Sequence, residues 1–64
     1  MKIKVKILVA LNTLRVGARF IPFGEEDVYR VLEDHYHGRR EVRGERTKKI
    51  DWFFGHLEVV KIPN

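Results

Sequence analysis

The chain of 64 residues contains no cysteine, no serine and no glutamine. Without thiols it has neither disulfides nor thiolate metal ligands, so its stability must come from packing. With serine and cysteine both missing, the hydroxyl and thiol nucleophiles reduce to Thr13, Thr47, Tyr29 and Tyr36, none beside an evident base. The carboxylate pairs Glu25/Glu26 and Glu33/Asp34 are sequence neighbours, which point apart on an extended chain, whereas acid–base work needs two convergent groups. Only five glycines are present and they are scattered, so there is no phosphate-cradling glycine loop. No apolar run approaches the roughly 18 residues of a membrane span. These absences argue for a non-enzyme with no cofactor, no bound metal and no membrane association.

Length sets a further bound. A chain this short makes one domain, residues 1–64, and buries about 60% of its unfolded surface, which leaves little room for a deep dry cavity. Seven aromatic residues supply much of the available core: Phe20, Phe23, Tyr29, Tyr36, Trp52, Phe53 and Phe54. Thirteen Lys and Arg against nine Asp and Glu give a net charge of +4, a bias toward phosphates or acidic partners.

The opening "MKIKVKILVALNTLRVGA" imitates a signal peptide, but its lysines alternate with Ile3 and Val5, and the apolar stretch Ile7 to Leu11 is too short for the apolar region of one. It reads instead as a first strand of a cytoplasmic, intracellular protein. Lys2, Lys4 and Lys6 occupy one face and Ile3, Val5, Ile7 and Val9 the other. "LNTLRVG" follows as a loop or a hairpin connection with Gly17 free to take positive φ, then "ARFIPF" as a short strand that Pro22 confines to an edge or ends.

"EDVYRVLEDHYHGRREVRGER", residues 26–46, supports two readings. As a helix it has Glu25, Glu26 and Asp27 in its first turn and His35, His37 and Gly38 at its end. As strands, "DVYRVLE" and "RREVRGE" flank a loop that ends in glycine, with a bulge required at Leu32, where the alternation slips. After it, "KKIDWFFGHLEVVKIP" closes the chain with an aromatic cluster, Gly55 and a last strand.

Taken together, about residues 16–62 resemble small SH3-like barrels. "VYRVLED" followed by "WFFGHLEVV" looks like uncharacterised members of that type from phages and bacteria. The resemblance implies a mostly β protein, a single barrel of about five strands with a short helical turn near residues 52–56, and favours strands over the helix. The alternative is an α+β fold with a helix at 25–37 packed on a small antiparallel sheet.

On the strand reading, Arg39, Arg40, Arg43, Arg46, Lys48 and Lys49 lie on a hairpin or just past it, offset by Glu41 and Glu45, a local charge of +4 (six minus two). Alternation puts Arg39, Glu41 and Arg43 on one face of the strand and Arg40, Val42 and Gly44 on the other. Of the consecutive rings Trp52, Phe53 and Phe54, two are expected in the core and the third at the surface. "HYH" places two histidines on one side of a strand, with His56 or Asp51 as further ligands, too sparse a set to predict zinc.

The expected function is therefore a non-catalytic binding module, a nucleic-acid-binding or regulatory accessory protein. Lys2, Lys4, Lys6 and the hairpin cations would neutralise phosphates of DNA or RNA, while Tyr36 or Trp52 stacks on a base. The alternative is a protein–protein module for an acidic partner, such as a small viral factor that modulates a host or phage complex. Pairing of two copies through an edge strand is a further expectation.

Overall fold

The computed structural model describes residues 7–63. Six strands account for most of it: β1 (Leu8–Ala10), β2 (Arg19–Pro22), β3 (Tyr29–Tyr36), β4 (Arg39–Gly44), β5 (Ile50–Phe54) and β6 (Glu58–Lys61). All neighbours pair antiparallel in the order β1-β6-β2-β3-β4-β5, so the last strand is inserted between the first two. The chain is mostly β, as its alternation predicts, but the sheet is not closed into a barrel.

The contested middle segment is a hairpin, and no helix forms at 25–37. His37 and Gly38 both take positive φ, +50° and +74°, and make the two-residue connection whose backbone twist matches that of paired strands. The slip near Leu32 is also real. Val31 pairs with Val42 and His35 with Arg40, so four steps on β3 match two on β4 and the extra residues bulge.

Residues 52–56 do not form the expected helical turn. Residues 50–54 are strand, and a 3-10 turn lies instead at Leu11–Thr13. Trp52 and the phenylalanines at 53 and 54 are good strand formers, and their pairing with β4 is continuous from Arg43↔Ile50 to Arg39↔Phe54. The 3-10 turn joins the far end of the sheet: the Leu11 amide donates to the Leu57 carbonyl (2.9 Å) and the Asn12 amide to that of Gly55 (2.8 Å). A Cβ at Gly55 would run into the exposed Asn12 side chain, so a larger residue there fits only if that side chain swings away. The sheet is thus coiled until its two ends touch at this point.

Inside the coil sit Leu11, Leu14, Phe20, Val31, Val42 and Val59. Phe20, Tyr29 and Phe53 pack on one another at 5.1–6.4 Å between ring centres. Of the three consecutive rings only Phe53 turns inward. Trp52 and Phe54 are exposed, one core ring fewer than expected, because strict alternation on β5 sends both to the other side. Pro22 ends β2 rather than marking an edge: β2 lies between β6 and β3, and its pairing with β3 stops at Phe20. The missing N–H of Pro22 therefore falls where the ladder toward β3 has already ended.

Candidate nucleic-acid interface

On β4 the two faces separate as the alternation predicts. Arg40, Val42 and Gly44 are buried, while Arg39 and Arg43 are exposed and Glu41 half-buried. This overturns one expected phosphate contact. Arg40 is only 5% exposed, and its Nη1 donates to the main-chain carbonyls of Leu11 (3.3 Å) and Leu14 (2.5 Å), while its buried Nε has no partner among the described residues. The side chain is long enough to cross the coil and satisfy the carbonyls of the 3-10 turn, so its charge serves the fold and cannot reach a polyanion.

The remaining predicted cations of the hairpin are exposed: Arg39, Arg43, Arg46, Lys48 and Lys49. Arg46 pairs with Asp27, Nη2 to Oδ1 at 3.1 Å. Arg39, Arg43, Lys48 and Lys49 have no carboxylate partner among the described residues. Lys2, Lys4 and Lys6 lie outside the described residues.

The same outer face carries the rings. Tyr36 (65% exposed), Trp52 (37%) and Phe54 (50%) form a cluster at the hairpin end of β3, β4 and β5. Tyr36 meets Trp52 edge to face at 6.5 Å, and Phe54 stacks with His56 at 5.4 Å. Register explains the one cation among them. Arg39 is directly opposite Phe54, and its guanidinium carbon lies 4.6 Å from that ring's centre, a cation–π contact that holds the charge flat on the platform.

Two cations that the sequence reading missed complete the face. Arg19 on β2 pairs with Arg30 on β3, and Arg30 with Arg43 on β4, so three arginines line up across three strands. Residues directly opposite share a face, so the row is contiguous. Nothing local marks it, since it exists only once the register of β2, β3 and β4 is known. Glu45 answers part of it. Arg19 donates to both Glu45 oxygens (2.9 and 3.0 Å) and Arg30 to one of them (3.2 Å). The Arg19 hydrogen bonds, supported by the Arg30 hydrogen bond and by both charges, hold the Glu45 carboxyl below the usual glutamate range, against the opposing effect of burial. Tyr29 shifts the other way: burial first, then the charges of Glu25 and Asp27, push its phenol up.

β5 is an edge strand in the described sheet. The amides of Gly44 and Gly55 bond across to Lys49 and Gly38, which sets the phase of the ladder and turns the main-chain groups of Ile50, Trp52 and Phe54 away from β4. Of these the Trp52 amide is taken by the Asp51 carboxylate (2.9 Å) and the Phe54 carbonyl by Leu57. His35, His37, His56 and Asp51 do not converge, and no group of three His, Asp or Glu residues able to hold a metal ion occurs among the described residues. No helix among them is long and apolar enough to cross a membrane. No protein-family model matches the chain, no curated protein does, and no solved structure does.

Proposed function

We propose that this protein binds single-stranded nucleic acid, DNA or RNA, on the outer face of β3, β4 and β5. The observation that carries the reading is the juxtaposition of three exposed rings, Tyr36, Trp52 and Phe54, with Arg39 laid on one of them and Arg43 further along the same strand face. Exposed rings offer stacking to unpaired bases, which duplex DNA withholds, and cations beside them neutralise the connecting phosphates. Four cations of this region have no carboxylate partner among the described residues: Arg39, Arg43, Lys48 and Lys49.

Binding of a labelled single-stranded 12-mer measured across a salt series tests the proposal. With about four phosphates neutralised, log affinity should fall against log salt with a slope near −2.8, about 0.7 per phosphate. Trp52 is the sole tryptophan, so its fluorescence should quench on binding. Trp52→Ala should weaken the complex about tenfold, the scale of one lost base stack. No binding at low salt, or equal affinity for a duplex of the same length, overturns the reading.

A second reading rests on a different observation, the outward main-chain groups of β5 that no strand pairs among the described residues. An extended acidic peptide would add there as a further strand, its carboxylates near Arg39, Arg43 and Lys49. Retention of an acidic peptide together with absent oligonucleotide binding would favour it.

A further inference from the structure

Opposed like charges on neighbouring strands destabilise a sheet, so the row Arg19–Arg30–Arg43 calls for a counter-anion. The protein supplies one in part. Glu45, the residue after β4, forks onto Arg19 and touches Arg30, and Arg43 is left with no carboxylate within ion-pair distance among the described residues. Beside Arg43 lies an open cavity of about 430 Å³ lined by Arg30, Leu32, Arg43, Gly44, Glu45 and Lys48. The loop after β4 builds its rim: the Lys48 amide donates back to the Gly44 carbonyl (2.9 Å) and Lys48 itself takes the left-handed conformation, φ +63°. This tight return brings the lysine against the arginine row. Three cations and one carboxylate give the lining a charge of +2 (three minus one), which a phosphate dianion balances and a singly charged phosphodiester does not.

From this we infer that Arg30, Arg43 and Lys48 form a pocket for a phosphomonoester, the phosphorylated end of a nucleic-acid strand whose bases lie on the Tyr36–Trp52–Phe54 platform. The inference deepens the proposed function and rests on it. Arg30 and Arg43 are register partners that both line the pocket, and guanidinium forks can grip phosphate oxygens in pairs, while Lys48 adds a point charge from the rim. Glu45 is the internal competitor, holding Arg19 and Arg30 when no phosphate is present. Arg43 and Arg39 are four residues apart on β4, about 13 Å at about 3.3 Å per residue. That is the length of about four stacked nucleotides at about 3.4 Å each, so one short strand reaches both places.

Two measurements on the full chain test it. The first compares hexathymidylate carrying a phosphate at either end with the same strand ending in hydroxyls. A terminal phosphate should tighten binding about tenfold, the worth of one charge-assisted hydrogen bond at the low end of its range. Arg43→Gln and Lys48→Gln should bring that ratio near one. Both residues are exposed, so neither change threatens folding. The second follows arginine Nε–H resonances in NMR while inorganic phosphate is added against chloride of equal ionic strength. Arg30 and Arg43 should shift with phosphate alone, and Glu45→Gln should lower the phosphate concentration needed. A ratio near one in the unmutated protein, with no phosphate-specific shift, overturns the pocket and leaves single-strand binding standing. Phosphate-specific shifts with no oligonucleotide binding keep the phosphomonoester site and overturn the nucleic-acid reading.

Discussion

Replacing Arg40 by alanine removes a side chain that fills core space and the donor that two carbonyls of the 3-10 turn share. The expected cost is about 3 kcal/mol, combining a cavity with buried acceptors left unpaired. Arg40→Met keeps most of the volume and also removes a buried cation whose Nε is unpartnered, so its cost should be about 1 kcal/mol. Arg43→Ala, on the exposed face three residues on, should change stability by less than about 0.5 kcal/mol. Urea midpoints for the three variants check this ordering, and equal midpoints for Arg40→Ala and Arg43→Ala would mean that the Arg40 guanidinium is not buried in solution. Glu45 makes a pH prediction with a definite sign. Its folded pKa is below that of the unfolded chain, so the contribution of its ion pairs is complete above the ordinary glutamate range and is lost as pH falls through the lowered folded value. A carbon-13 titration of the carboxyls should find Glu45 with a midpoint below the ordinary glutamate value, and Glu45→Gln should remove its share of the acid-side loss of stability.

At the scale of elements, the hairpin of β3 and β4 depends on two left-handed residues, His37 and Gly38. Only Gly38 adopts that conformation without a Cβ penalty, so Gly38→Ala should destabilise by roughly 1–2 kcal/mol, whereas His37→Asn should be neutral or slightly stabilising. A pair of thermal melts decides it, and an unperturbed Gly38→Ala melt would exclude this turn. How far the fold was legible follows from which signals are local. The glycine after "DHYH", the slip at Leu32 and the two faces of β4 are all written in short windows, and each appears where the pattern puts it. What lay beyond reach depends on distant segments. Arg40 alternates with Arg39 and Arg43 in a way that marks it as facing inward, yet its partners, Leu11 and Leu14, are 29 and 26 residues earlier in the chain. The row of Arg19, Arg30 and Arg43 exists only in the register of three strands. The helical turn was misplaced because the aromatic cluster at 52–54 reads equally well as a packed turn or as an edge strand, and only pairing with β4 decides between them. The candidate face was therefore half visible: Tyr36, Trp52 and the hairpin cations could be read from the chain, while Phe54 and the arginines of β2 and β3 could not.

For the whole molecule the question is what keeps an open sheet with an aromatic edge from pairing with copies of itself. β5 presents Ile50, Trp52 and Phe54 on its exposed face, and no strand among the described residues pairs with its outer side, a template for strand addition. Two features oppose it. The net charge of +4 repels a second copy, and the Asp51 carboxylate occupies the Trp52 amide that an incoming strand would need. Of the two, the carboxylate acts at the edge itself, since a strand that pairs there must displace it. β5 should therefore not pair with a second copy, and the protein alone should run as a monomer of 7.6 kDa at moderate ionic strength. Asp51→Val frees the amide and adds a β-branched side chain while raising the net charge to +5 (four plus one), so the variant should self-associate once added salt screens the repulsion. Light scattering coupled to size exclusion measures both. If Asp51→Val stays monomeric at high salt while the unmutated chain does too, β5 is protected by something other than this carboxylate. If the unmutated chain is already dimeric, an edge of the sheet, β1 or β5, is an interface between two copies.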